Sequence, residues 1–221
     1  MARSLSADEA CAQLDVSRET QERLEIYVDV LKRWQKSINL VSATTLDDVW
    51  RRHILDSGQI FRHLADQQGQ VMDIGSGAGL PGLILAIMGA GNADKPVMLV
   101  ESDERKCAFL AVAARQCGIK VKIRNVRLEH LDPIFPDTIT ARAMAPLERL
   151  LAWTAQQHHP GLECLFLKGE RAEEEMACLA DHPHINVETS ASLSSPEGVI
   201  LKLTGFDLAP SDDPARRQGS S

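Results

Sequence analysis

Paired cysteines, long apolar runs and aromatic side chains are all scarce in this sequence of 221 residues. Its five cysteines are an odd number with no C-x-x-C pair, which argues against a disulfide framework or a zinc site and for free thiols in a reducing cytosol. No run reaches the roughly 18–20 apolar residues of a membrane span, and no apolar stretch of a secretory signal follows residues 1–4. The aromatic residues, 4% of the chain, mostly fall on apolar faces and are therefore expected in the core.

A surplus of positive charge is also missing, because the formal net charge is −7. The acidity is mostly C-terminal, since residues 151–221 carry 5 basic and 11 acidic side chains. A basic cluster nevertheless lies between residues 34 and 64 and includes Lys36, Arg51, Arg52 and His53. Such a patch can bind RNA phosphates whatever the sign of the net charge, although a solvated helix face fits the charges equally well.

His182 and His184 have no third candidate ligand nearby, so no metal site is expected.

The first 66 residues carry helical patterns and no strand signal. Residues 6–9 have the spacing of a capping box, which indicates a short first helix. Leu24, Tyr27, Val28 and Leu31 recur on one helical face and predict a helix over residues 18–36. Further helices are expected to begin at residues 45 and 56. Residues 1–66 are therefore expected to form a helical extension.

From residue 67 onward, strand and helix patterns alternate. Strands are predicted at 70–74, 96–101, 121–124, 138–141 and 164–167, with helices at 80–88, 103–117, 147–157 and 170–179. This alternation predicts an α/β fold of the Rossmann-like kind, with a parallel doubly wound sheet, over residues 67–206. Two late strands, 184–189 and 198–204, have no helix between them and predict an antiparallel hairpin at the sheet edge. The polar residues 207–221 are expected to be a disordered tail.

A glycine-rich loop connects the first predicted strand to the first helix of the sheet. Gly75, Gly77 and Gly79 lie at the point where doubly wound sheets bind their ligands, and glycine lets a ligand approach the backbone closely. Glu101 ends the second strand, where a carboxylate can accept hydrogen bonds from both ribose hydroxyls of a bound adenosine. The sequence therefore predicts a site for an adenosine-containing cofactor.

Two such cofactors fit, and a purely structural glycine turn is the third interpretation. The spacing from Gly77 to Gly82 matches the dinucleotide fingerprint, which by itself is weak evidence for an oxidoreductase. Three features favour S-adenosylmethionine. Asp73 can reach the methionine end of the cofactor directly or through water. Pro81 lacks the N–H that a pyrophosphate would need. About 70 residues precede the first strand, whereas a dehydrogenase usually opens with that strand.

Seven blocks in order now resemble one family. They are Trp34 with residues 38–41 (INLV), 52–57 (RHILDS), 73–82 (DIGSGAGLPG), 101–110 (ESDERKCAFL), 127–129 (RLE), 141–143 (ARA) and 167–169 (LKG). Together they resemble ribosomal RNA small subunit methyltransferase G, also called glucose-inhibited division protein B, over roughly residues 14–205.

The resemblance implies methyl transfer from S-adenosylmethionine to N7 of one guanosine in 16S ribosomal RNA, giving 7-methylguanosine. It implies that Gly75 and Leu80 line the methionine side of the cofactor, that Leu128 and Glu129 flank the adenine, and that Arg142 faces the site. The implied partner is the small ribosomal subunit or its assembly intermediate, and a cytoplasmic monomer without a metal is expected. Without the resemblance, methyltransferases acting on proteins or small molecules and a non-catalytic cofactor-binding regulator all remain open.

The chemistry of guanine N7 agrees with what the sequence lacks. N7 carries a lone pair and no proton. Its attack on a methyl group therefore requires in-line placement of the base and an electrostatic field that tolerates positive charge, rather than a general base. The Asn/Asp-Pro-Pro-aromatic motif of amino-methylating enzymes is replaced by residues 142–146 (RAMAP). Arg142 and Lys168 end adjacent strands, so both are expected to point into the crevice as positioning groups, with surface charge as the alternative for each.

Overall fold

The computed structural model describes residues 3–64, 69–89 and 96–206. The predicted disordered tail at 207–221 lies outside these described residues, as do the end of the predicted helical extension and the start of the sheet region, at 65–68.

The N-terminal segment consists of helices and helical turns with no strand among its described residues, and residues 35–42 form a non-helical connection. Its elements are α1 (Ala7–Leu14), α2 (Arg18–Trp34), a 3-10 turn (Ala43–Asp48), a π-helical turn (Trp50–Leu55), α3 (Asp56–Gly58) and a second 3-10 turn (Gln59–Leu64). Ser6 and Glu9 form the expected capping box, and the Ser17 side chain accepts a hydrogen bond from the backbone N–H of Thr20 at the start of α2. In the stretch after residue 42, polar side chains contact the sheet domain: His53 and Asp56 contact Arg142, and Gln59 donates to Ser192.

Seven strands form one sheet in the order β3-β2-β1-β4-β5-β7-β6. The strands are β1 (Val71–Ile74), β2 (Val97–Glu101), β3 (Lys122–Asn125), β4 (Thr138–Arg142), β5 (Glu163–Lys168), β6 (Asn186–Ala191) and β7 (Val199–Thr204). The first five run parallel, whereas β7 is antiparallel to both β5 and β6. The predicted Rossmann-like sheet with an antiparallel edge hairpin is confirmed.

Four helices and the N-terminal segment cover the two faces of the sheet. They are α4 (Gly82–Met88), α5 (Glu104–Gln116), α6 (Leu147–Thr154) and α7 (Ala172–Met176). Alternate strand residues point to opposite faces. Leu99 and Leu165 therefore belong to a core shared with α2, α4 and α5, whereas Met98 and Phe166 belong to a core under α6. The N-terminal helices thus share their hydrophobic core with one face of the sheet.

Aromatic side chains join α2 to this core. Tyr27 and Trp34 both meet the ring of Phe109 edge-to-face, with centroid distances of 6.4 and 5.9 Å. The Tyr27 hydroxyl is buried and donates a hydrogen bond to the carbonyl oxygen of Ala78 at 2.7 Å. Since Ala78 belongs to the glycine-rich loop, α2 fixes that loop as well as the core.

The contact between α4 and the strands beneath it leaves no room for a methyl group. A Cβ on Gly82 would lie 2.5 Å from Cβ of Asp73 and 2.6 Å from Cδ2 of Leu99. We expect Gly82→Ala to lower the free energy of unfolding by about 1–3 kcal/mol, because overpacking outweighs the gain in helix propensity. Denaturant titration measures this change. Gly169→Ala is the matched control, since a Cβ there meets nothing within 4 Å. Equal effects of the two substitutions would contradict the close packing of α4.

Candidate active site

The loop between β1 and α4 is fixed from several sides. The Ser76 hydroxyl donates to the carbonyl oxygen of Asp73 at 2.9 Å, and the Ser76 N–H donates to the carbonyl of Val100 at 3.0 Å. Gly75 has φ +62°, and a Cβ there would lie 2.3 Å from the sulfur of Met144. A Cβ on Gly77, by contrast, would meet only the carbonyl of Gly75 at 3.8 Å. The loop therefore presents bare backbone to the space above it.

A cavity of about 650 Å³ opens above this loop, at the carboxyl ends of the parallel strands. Its wall includes Gly75, Gly77 and Leu80, the end of β2 at Glu101, and Leu128 and Glu129 after β3. Gly79 is not part of this wall, because a Cβ there would point at Leu83 and Leu110 between α4 and α5. The structure thus brings together most of the residues assigned to the cofactor from the sequence, and it turns Gly79 away from them.

Glu101 is only 7% exposed but borders the cavity. One carboxylate oxygen accepts a hydrogen bond from the N–H of Gly77 at 2.8 Å, and the other accepts one from the N–H of Asp103 at 2.8 Å. A carboxylate has about four lone-pair positions, so two remain for further donors. Glu101 is therefore fixed in place and can still accept bonds from a pair of vicinal hydroxyls.

Asp73 lies beneath the loop rather than in the cavity. Strand alternation turns its side chain toward α4, and it is completely buried. Its Oδ1 accepts a hydrogen bond from the Thr140 hydroxyl at 2.9 Å, whereas Oδ2 has no hydrogen-bond partner among the described residues. Burial raises the pKa of Asp73 from 3.8 to about 7. Of the two expected routes to the cofactor, the direct contact of Asp73 is therefore corrected, because the side chain lies under the loop, and the contact through water stays a prediction.

An aromatic ring that the sequence assigned to the core packs against the core and also borders the cavity. Trp153 donates its indole N–H to Glu129 at 3.2 Å, and the guanidinium of Arg149 lies 4.5 Å from the centre of the indole ring. Both side chains line the cavity. The spacing of Arg149 and Trp153, one turn apart on α6, is the signal that could have revealed this pair.

Arg142 ends β4 and separates two spaces. Its Nε pairs with Oδ2 of Asp56 at 2.7 Å, and its Nη2 donates to the carbonyl of Arg52 at 2.8 Å and lies 3.0 Å from Nδ1 of His53. Arg142, Ala143 and Met144 border the large cavity and also a second cavity of about 430 Å³. Arg142 is therefore part of the wall that the two cavities share.

Lys168 borders the second cavity and not the first. Its ammonium donates to the carbonyl of Ala145 and to Glu175, both at 2.7 Å, and its side chain is 7% exposed. Arg142 and Lys168 thus both border the second cavity, as expected for the ends of adjacent strands, whereas only Arg142 reaches the large cavity. Lys168 mainly fastens the loop after β4 to α7.

The basic cluster of the N-terminal segment does not form one patch. Arg51 pairs with Asp48 at 2.9 Å, and His53 is 4% exposed with both ring nitrogens hydrogen-bonded. His53 therefore cannot contact an RNA phosphate in this arrangement, which corrects its assignment.

Lys36 and Arg52 are exposed, and Arg52 borders the second cavity. Three basic side chains that the sequence analysis did not single out, Lys106, Arg127 and Arg149, border the large cavity.

Neither a metal cluster nor a membrane span is found in the part of the chain that the structure describes. Within residues 3–64, 69–89 and 96–206, no three His, Cys, Asp or Glu side chains are grouped as metal ligands. No helix in these ranges combines the length and apolarity that crossing a membrane requires.

Comparison with known proteins places this geometry among methyltransferases. The profile of the rRNA small subunit methyltransferase G family (GidB) matches residues 20–200. The protein named ribosomal RNA small subunit methyltransferase G of Paramagnetospirillum magneticum is 46% identical, with 90% of this chain and 95% of the relative covered. The protein of the same name from Rhodospirillum rubrum is 48% identical, over 87% of this chain and 94% of the relative.

Solved structures with the same fold are more distant. A SAM-dependent methyltransferase from Aquifex aeolicus has a TM-score of 0.56 and 13% identity, with 80% of this chain and 96% of that chain covered. Ribosomal protein L11 methylase from Lactobacillus delbrueckii has a TM-score of 0.55 and 16% identity, over 68% and 77% of the two chains. At these identities the likeness shows the fold alone.

The buried Asp73 predicts a pH dependence of stability. Because its pKa is raised in the folded state, the folded protein holds this proton more tightly, and the resulting stability is lost as pH rises from about 4 through about 7. Asp73→Asn carries no titrating group. Between pH 5.5 and 8, the free energy of unfolding of the wild type should therefore fall by about 2 kcal/mol relative to that of the variant. Denaturant titrations across this range measure the difference, and parallel curves for the two proteins would contradict the assignment.

Proposed function

The chain belongs to the rRNA small subunit methyltransferase G family, and from this premise we propose that it methylates N7 of a guanosine in 16S ribosomal RNA with S-adenosylmethionine as methyl donor. The observation that carries the proposal is the cavity above the glycine-rich loop, with Glu101 fixed at its edge and four basic side chains in its wall, Lys106, Arg127, Arg142 and Arg149. When bound, S-adenosylmethionine supplies an electrophilic methyl group on a sulfonium.

The residues of the large cavity fit this cofactor from end to end. Glu101 has free lone pairs for the two ribose hydroxyls, since each oxygen accepts only one backbone bond. For the adenine, Leu128 offers an apolar contact and Glu129 a polar one. The indole N–H of Trp153 donates to Glu129, and its ring lines the same cavity. The bare backbone at Gly77 and the wall at Gly75 and Leu80 leave space for the remaining part of the cofactor.

The second cavity is the proposed place of the acceptor guanosine. It adjoins the first across Arg142, so a base there can present N7 toward the cofactor. Arg142 can donate to guanine O6 without blocking N7. The nearby groups that could act as a base are already engaged. His53 and Asp56 bond to Arg142, and Glu175 bonds to Lys168. A reaction that removes no proton suits this arrangement.

Basic side chains of the N-terminal segment and of the cavity rims are the proposed contacts to RNA phosphates. Lys36 and Arg52 remain from the sequence-based set, and Lys106, Arg127 and Arg149 join them from the rim of the large cavity. Arg51 keeps only a secondary role, because it is paired with Asp48. The partner in this proposal is the small subunit or its assembly intermediate, and the enzyme acts in the cytoplasm as a monomer.

The role of Glu101 is open to a direct binding test. We expect Glu101→Ala to weaken binding of S-adenosylhomocysteine by about 1.5–3 kcal/mol, because hydrogen bonds to a charged acceptor are lost. Isothermal titration calorimetry measures the affinity. Glu188→Ala removes the same group from an exposed position on β6 and serves as the matched control. Unchanged affinity in Glu101→Ala would remove this carboxylate from the site.

The acceptor atom can be identified from the product. Labelled methyl groups are expected in small-subunit RNA, and nucleoside analysis of the digest should yield 7-methylguanosine. Absence of that nucleoside from an active reaction would disprove the N7 assignment.

Turnover should also be nearly flat from about pH 6 to 9, since no base must lose a proton. Asp73→Asn is measured alongside the wild type, so that titration of buried Asp73 is not mistaken for that of a catalytic base. A steep rise near pH 7 in both proteins would argue for such a base.

A further inference from the structure

The N-terminal segment holds the guanidinium of Arg142 through two hydrogen bonds and one ion pair. The two N–H groups of Nη2 donate to the carbonyl of Arg52 at 2.8 Å and to Nδ1 of His53 at 3.0 Å, and Nε forms an ion pair with Oδ2 of Asp56 at 2.7 Å. The remaining nitrogen, Nη1, has no hydrogen-bond partner among the described residues. A guanidinium is planar, so fixing Nε and Nη2 also fixes the direction of the two N–H groups on Nη1. Those donors belong to the side chain that separates the two cavities.

The hydrogen bonds around His53 allow one protonation state. The Thr45 hydroxyl donates its only proton to the carbonyl of Ser42 at 2.7 Å. It must therefore accept at its second contact, 2.8 Å from Nε2 of His53, which places a proton on Nε2. Arg142 has no acceptor, so Nδ1 must be the acceptor in the other contact. Both ends of the ring thus define the neutral Nε2–H tautomer.

Electrostatics agrees with the hydrogen bonds. Burial, and then the charges of Arg142 and Arg52, lower the pKa of His53 from 6.5 to about 3. Asp56 is the acidic group beside these arginines, and it pairs directly with Arg142. The charge of Arg142 is therefore balanced by Asp56, whereas neutral His53 only orients the guanidinium.

From this geometry we infer that His53 is a positioning residue for methyl transfer, which holds the guanidinium of Arg142 so that its Nη1 donors are presented to the acceptor base. Thr45 acts one step further away, since it keeps His53 in the tautomer that can accept from Arg142. The inference rests on the proposed function, because the acceptor base is placed in the second cavity. The competing role for His53 is a purely structural joint between the helical segment and β4.

A double-mutant cycle separates the two roles. His53→Leu removes the acceptor, and we expect turnover at saturating RNA and cofactor to fall roughly tenfold or more, while affinity for S-adenosylhomocysteine stays within about twofold. His53→Asn keeps an oxygen near the place of Nδ1 and should recover part of the rate. In an Arg142→Ala background the His53→Leu substitution should cost less than about threefold, because the group it positions is gone. His63→Leu, the same change on the following 3-10 turn, is the control.

Other results of the cycle would overturn the inference. Additive effects of His53→Leu and Arg142→Ala would mean that His53 does not act through Arg142. Equal losses in His53→Asn and His53→Leu, or a loss confined to melting temperature, would leave only the structural role. A loss confined to cofactor affinity would overturn the inference in favour of a role in cofactor binding, since His53 also borders the large cavity.

The wild-type protein offers a test that does not depend on any His53 variant folding. Imidazole ¹⁵N chemical shifts should show His53 as the neutral Nε2–H tautomer from pH 5 to 9. Thr45→Val should mix the tautomers and lower turnover, with His53 itself intact. A His53 ring that titrates near pH 6.5, or that carries its proton on Nδ1, would contradict the inference.

Failure of the proposed function is recognisable separately. Kinetics are followed as total methyl transfer to small-subunit RNA, and the modified nucleoside is identified in a separate digest. A product other than 7-methylguanosine would overturn the N7 assignment, while the cycle would still decide whether His53 acts through Arg142. Formation of 7-methylguanosine together with additive effects would overturn the role of His53 alone.

Discussion

The ion pair between Arg142 and Asp56 joins three parts of the molecule that are distant in sequence. Arg142 ends β4, and Asp56 begins α3 of the helical segment. Asp56 also accepts hydrogen bonds from Ser194, in the turn of the β6–β7 hairpin, and from Gln59. Gln59 in turn accepts from the N–H of Leu193 at 2.7 Å. The wall between the two cavities therefore depends on one partly buried charge pair, and removing either partner would leave the other charge unpaired.

Local sequence patterns predicted the sheet, the glycine-rich loop and the position of Glu101, because these features depend on spacing along the chain. Alternation of strands and helices decides the fold class, and the end of β2 places Glu101 at the edge where parallel strands bind ligands. The same reasoning did not foresee that Asp73 is buried or that the site has two cavities. Strand alternation turns Asp73 under α4, and Lys168, paired with Glu175 on α7, borders only the second cavity.

His53 shows why the rest of the site could not be read from the sequence. A histidine beside two arginines looks like part of a basic surface, and only the folded chain shows its ring enclosed between Thr45 and Arg142, a residue 89 positions away. Trp153 shows the reverse error, since an aromatic residue on an amphipathic helix was assigned to the core alone. Its ring borders the cavity because Glu129 and Arg149 hold it there from two sides. Both errors concern long-range polar contacts, which periodicity does not record.

Charge balance at the shared wall suits a reaction that moves a positive charge across it. Methylation of N7 takes positive charge from a sulfonium and leaves it on a purine, so a strong field of either sign would favour one side of the transfer. Asp56 neutralises Arg142, and Glu175 neutralises Lys168, close to the second cavity. Among the described residues, Lys106, Arg127 and Arg149 at the large cavity and Arg52 at the mouth of the second form no salt bridge. The reacting atoms would thus meet directional donors in a nearly balanced field, while net positive charge stays where a polyanion approaches.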